Sequence, residues 1–245
     1  MTAKQAINRA AFVQLELAGR IGLPEGRYLV REGEAERVLI VQEIGAPRAE
    51  RGRRRSRPVE PAEPAPVAVT LVTVTGERLA DESEGSTWLK QVTGDRERRA
   101  DEVRAATRIV NRALNALRAG ARDPLVHEVG ASRAIAVRIG HGSGDQLADG
   151  RWTEAREMPR PRRGRLDDVD PQSRVAAVLA GRDQVHPAET LMLRAKLDAE
   201  QGRLGEARYG VRAARAALDE EPPERQKQLL EQLDAIEKRL RERSG

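Results

Sequence analysis

The chain contains no cysteine in its 245 residues, which excludes disulfide cross-links, thiolate metal sites and a cysteine nucleophile. Aromatic residues are nearly as scarce. Phe12, Tyr28, Trp88, Trp152 and Tyr209 are the whole set, too few for the base-stacking platforms of single-strand nucleic-acid binders. No apolar run approaches the roughly 18 residues of a membrane span, and the longest, 66–74, is broken by threonines. The opening MTAKQAINRAAFVQLELAG lacks a continuous apolar stretch and a small-residue cleavage pattern. It does not read as a secretory signal, so a cytoplasmic location without membrane partnership is expected. Lysine is also rare, at five of the 44 basic residues, so arginine carries nearly all the positive charge. An arginine-rich, alanine-rich bias is what GC-rich coding produces. The net charge of +5 therefore says little about nucleic acid, and the clustering of the arginines says more.

Leu, Ile, Val and Phe together make 52 positions, about 21 % and just above the level below which charged chains fail to build a core. The core must lean on 36 alanines. Val13, Leu15 and Leu17 alternate with Gln14 and Glu16, the period-2 pattern of a half-buried strand. Ile7, Ala11, Leu15 and Ala18 also share a helical face over 4–18, but the alternation favours a strand from Phe12. Further strands are expected near 27–32, near 37–44 with burial on both faces of Val38-Leu39-Ile40-Val41, near 67–75, and near 134–140. Helices are expected over 81–92 and 95–119. The longer one carries the stripe Val103, Ala106, Ile109 or Val110, Ala113 and Leu117 and is closed by Gly120 and Asp123-Pro124.

Two basic, proline-bearing stretches punctuate the chain. Residues 46–66 hold Arg51, Arg53, Arg54, Arg55 and Arg57 followed by four prolines in 58–66, a solvated arm with nothing to bury. Residues 159–170 hold Arg160, Arg162, Arg163 and Arg165. These nine arginines are the candidate phosphate contacts, through bidentate guanidinium hydrogen bonds. The organisation read from this is an α+β domain over 1–158 interrupted by the arm, a linker over 159–170, and a helical domain over 171–245.

Four helices are expected in the last segment. Asp170 and Pro171 open the first, Pro187 the second, with His186 before it in a capping or exposed role. Gly202 and Gly205 bracket the turn into the third, and Pro222-Pro223 starts the last. In that last helix Leu229, Leu233, Ile236 and Leu240 recur at steps of four, three and four, a narrow seam suited to packing on a neighbour and the candidate helix interface. Leu191, Ala195, Gly202, Ala207 and Ala214, with Pro222 beyond them, follow the spacing of a tetratricopeptide repeat. Residues 188–221 thus resemble one such unit, with Asp198 and Val211 standing where that family carries large side chains. The resemblance implies a helix hairpin that packs on neighbours and lends itself to a binding groove; it implies no reaction.

For chemistry, the stretch GHGSGDQLADGRW at 140–152 is the main candidate. Gly140, His141, Gly142, Ser143, Gly144 and Asp145 read as a glycine-rich ligand loop after a strand, able to offer backbone N–H groups to an anion. It lacks the spacing of either the dinucleotide fingerprint or the P-loop. His141 with Asp145 and Asp149 lacks the paired-histidine spacing of a metal site. Ser143, His141 and Asp145 are too close in sequence to converge as a triad. No cofactor is implied. The expected architecture is α+β: a small, mainly antiparallel sheet with packed helices, then a C-terminal helical bundle. The expected function is a non-catalytic interaction or scaffold protein acting on a protein partner or a second copy. Sequence-independent nucleic-acid association through the arginine stretches, or a ligand-binding or enzymatic domain at 140–150, are the alternatives.

Overall fold

A computed structural model describes residues 9–33, 35–45, 67–159, 171–220 and 223–242. The chain divides into two compact units, Met1–Arg163 and Gly164–Gly245, and its class is α+β. The arginine stretches 46–66 and 160–170, with Asp170, lie outside the described residues.

The first unit is built on one antiparallel sheet of β1 (Ala10–Ala18), β2 (Gly26–Glu32), β3 (Ala35–Ile44), β4 (Val69–Arg78), β5 (Ala134–Gly142) and β6 (Glu154–Glu157), in the order β2-β3-β4-β1-β5-β6. The alternation of β1 sets its two faces. Val13 pairs with Val74 on one side and Ile139 on the other, and Leu15 with Val72 and Val137. This apolar layer receives α1 (Glu82–Gly94) and α2 (Arg96–Ala121), whose Trp88, Leu89, Val92, Ile109, Val110 and Leu114 complete the main core. Each such side chain contributes roughly 1.5–3 kcal/mol by leaving water. Local chemistry sets the helix starts. Asp81 accepts the Glu84 N–H to open α1, and Asp95 accepts the N–H groups of Glu97 and Arg98 to open α2. Past α2, the buried Asn111 side chain donates to the Val129 carbonyl and accepts its N–H, which ties the returning chain to the helix before β5.

The opposite face of the sheet is also covered. A five-residue helix α3 (Gly144–Ala148) and the connection to β6 lay Leu147 onto Ala10, Phe12 and Ile40. Trp152 meets Phe12 at a ring-centroid distance of 6.1 Å.

The second unit consists of α4 (Pro171–Leu179), α5 (Pro187–Glu200), α6 (Leu204–Ala216) and α7 (Pro223–Glu242). His186 caps α5, its Nδ1 accepting the Ala188 N–H beside Pro187 at the first helical position. α5 and α6 form a close hairpin. A methyl group at Gly210 would lie 3.0 Å from the Ala195 Cβ, so the absent side chain sets the approach. Ala195, Ala207, Val211 and Ala214 join Leu229, Leu233 and Ile236 of α7 in a second core.

Candidate functional sites

The stretch read as a glycine-rich loop is largely not a loop. Gly140, His141 and Gly142 are the last residues of β5, and Gly144 and Asp145 begin α3. Gly140 and Gly142 answer to space. A methyl group at Gly140 would fall 2.3 Å from the Glu154 carbonyl oxygen of the paired strand. One at Gly142 would crowd Leu147 and the Trp152 backbone. Ser143 Oγ accepts the Gln146 N–H at the start of α3. It is not joined to His141, whose ring lies on the helix-bearing face, completely buried against Gly85 of α1.

The polar neighbours of His141 come from elsewhere in the chain. Its Nε2 is 3.7 Å from Glu154 Oε2, and that oxygen accepts a hydrogen bond from Ser86 Oγ at 3.0 Å. Among the described residues neither ring nitrogen of His141 has a partner at hydrogen-bonding distance, Glu154 being the near carboxylate. The Ser86 hydroxyl, more than the Arg156 guanidinium 3.6 Å from the other carboxylate oxygen, holds the Glu154 carboxyl below its ordinary value against the opposing effect of burial. This is the wrong order for nucleophilic catalysis. The carboxylate stands between serine and histidine, and the histidine that would have to act as base is sealed from substrate. What the arrangement does is join α1, β5 and β6. Asp149 pairs with Arg151 at 3.0 Å. Among the described residues, no three His, Asp or Glu side chains converge as a metal-holding group.

The seam Leu229, Leu233, Ile236 and Leu240 is buried throughout, taken up inside its own unit by α5 and α6. Trp88 is a core residue, whereas Trp152 remains 38 % exposed beside Phe12. Asp198, in the position where a tetratricopeptide repeat carries a large side chain, is buried. It accepts from Arg203 Nε at 2.7 Å and Arg194 Nε at 3.2 Å, fastening the turn between α5 and α6.

Two hollows on the first unit were not anticipated. One, of about 600 Å³, is lined by Glu36, Arg37, Glu77, Arg78 and Glu102 beside Trp88, a mixture of both signs. The other, of about 690 Å³, is lined by Arg96, Arg99 and Arg104 with Val103, Val137 and Met158, and among the described residues no carboxylate lines it. The helical spacing of Arg96, Arg99, Ala100, Val103 and Arg104 is the signal that would have pointed to it. In the second unit a shallow hollow lies between α5 and α6 at Leu191, Asp198, Gly205 and Tyr209. Among the described residues, no helix is long and apolar enough to cross a membrane. No protein-family model, curated protein or solved structure matches the chain.

Proposed function

We propose that the chain is a non-catalytic interaction protein whose C-terminal helical unit engages the apolar surface of a partner protein or of a second copy, with α4 as the docking element. The observation that carries this reading is the condition of α4. It is nine residues long and none of them is buried, with Val175 57 % and Leu179 83 % exposed. Helices shorter than about 12–15 residues are marginal in water without tertiary packing. Its described anchors include the ion pairing of Arg174 with Glu189 and Asp183, which keeps that guanidinium's pKa raised. An ion pair at the surface contributes little, and the exposed Val175 and Leu179 support the reading that a partner supplies an apolar covering. The α5–α6 hairpin is the kind of scaffold on which such an element is displayed, in keeping with the resemblance of 188–221 to a tetratricopeptide unit.

The test is a photo-crosslinking residue at position 179 of the full chain, with the same residue at exposed Arg208 as control, joined to sedimentation of the purified protein. The reading expects a discrete adduct, of the chain with itself or with one protein, that disappears on Val175→Glu. Crosslinking at 179 no greater than at 208, with sedimentation unchanged by Val175→Glu, would overturn it.

A further inference from the structure

The 690 Å³ hollow on the first unit lies between the opening turns of α2 and the end of the sheet at Val137 and Met158, with Ala131 and Ser132 also in its lining. Arg96, Arg99, Ala100, Val103 and Arg104 fall at steps of three, one, three and one along α2, which places them on one helical face. That face continues as Ala106, Thr107, Val110 and Leu114 of the core, but in its first turns it borders open space. The floor is apolar, formed by Ala100, Val103, Val137 and Met158, and among the described residues the charged lining is of one sign. Arg96 has no side-chain partner among the described residues. Arg99 spends one nitrogen on the Thr93 carbonyl at 2.9 Å, and Arg104 pairs with Asp101 on its outer side.

We infer that this groove is a docking site for an acidic amphipathic segment of a partner protein, which sets its apolar side on Val103, Val137 and Met158 and its carboxylates against Arg96, Arg99 and Arg104. Charge complementarity selects the occupant. A guanidinium offers paired donors that match a carboxylate, and arginines rimming an apolar floor need a ligand carrying both kinds of surface. The arginine-lined part of α2 spans about 12 Å, which suits roughly two turns of a bound helix. Nucleic acid fits less well, since its phosphates would leave the apolar floor unused. This inference does not depend on α4, which belongs to the other unit.

The methionines make the site addressable. Met158 lines the groove, Met192 lies in the core of the second unit, and the remaining methionine is Met1. The full chain, labelled at the methionine methyl groups, is titrated with a synthetic acidic peptide of about 14 residues carrying leucines at helical spacing. Comparison probes are the same peptide with leucines replaced by serine, the same peptide with lysine for glutamate, and a duplex DNA of about 20 base pairs. Displacement of the Met158 signal with Met192 unmoved, preference for the leucine peptide over its serine version, and about tenfold weaker binding for Arg96→Glu are expected. Equal binding of the serine peptide or the duplex would show a simple polyanion surface and overturn the inference. So would no binding at all, or movement of Met192 in place of Met158.

Discussion

Replacing Gly85 by alanine separates two forces that act in opposite directions at one atom. Gly85 lies inside α1 with helical backbone geometry, so an added methyl group should by propensity stabilise the helix by about 0.5–1 kcal/mol. The space beside it is occupied. That methyl carbon would lie 2.5 Å from His141 Nδ1 and 2.7 Å from Cγ, and the imidazole is completely buried. Forcing a methylene-sized group into a filled core costs about 1–3 kcal/mol, and here the neighbour is a rigid ring held on a strand, so the clash wins. The expected net loss is about 1–2 kcal/mol, or about 2–8 °C in Tm for a unit of this size. Urea unfolding followed by tryptophan fluorescence is the assay, because Trp88 and Trp152 both belong to the first unit and report on it alone. The second half of the experiment is decisive. In a His141→Ala background the space is free, and Gly85→Ala should become neutral or stabilising. A stabilising Gly85→Ala in the unaltered chain, or the same loss in both backgrounds, would refute the interlock between α1 and β5.

Asp198→Asn should destabilise the second unit by about 2–3 kcal/mol, since it leaves the arginines at the α5–α6 turn without their buried carboxylate. A lower far-UV circular dichroism transition with unchanged tryptophan fluorescence is the expected result. The pH dependence of the first unit should carry the mark of Glu154. Its folded-state pKa lies below the ordinary value, so its contribution is complete above the unfolded-state value and is lost as pH falls through the folded-state value. Glu154→Gln should therefore flatten the acid side of the stability profile and leave its neutral side parallel to that of the unaltered chain. The effect is modest, because the carboxylate is 38 % exposed.

Strands with their own periodicity were legible in the sequence. Val13, Leu15 and Leu17 set the faces of β1, and the doubly apolar run Val38–Val41 became β3, buried at Leu39, Ile40 and Val41. β6 was not, because Glu154-Ala155-Arg156-Glu157 has neither alternation nor β-branched residues. It is a strand because β5 supplies the ladder, with Ala155 opposite Gly140 and Glu157 opposite Arg138. The segment that follows β5 explains the reading of Gly140 and Gly142 as a loop. Glycine ordinarily signals a turn, but here each residue lacks a side chain because another segment fills the place. The α7 seam showed its spacing but not its target, which proved to be α5 and α6 of the same unit. Ser86 and Glu154 stand 68 residues apart, and no local pattern marks a pairing made only by tertiary structure.

The position of β1 has a consequence for biosynthesis. β1 is bonded on both edges, to β4 and to β5, which both follow it in the chain, so it acquires its second partner only once Gly142 has been translated. At ordinary elongation rates the segment AAFVQLEL waits on the order of ten seconds with a greasy, hydrogen-bond-hungry edge open to any passing nascent chain. A fragment ending before residue 134 would emerge with that edge permanently bare.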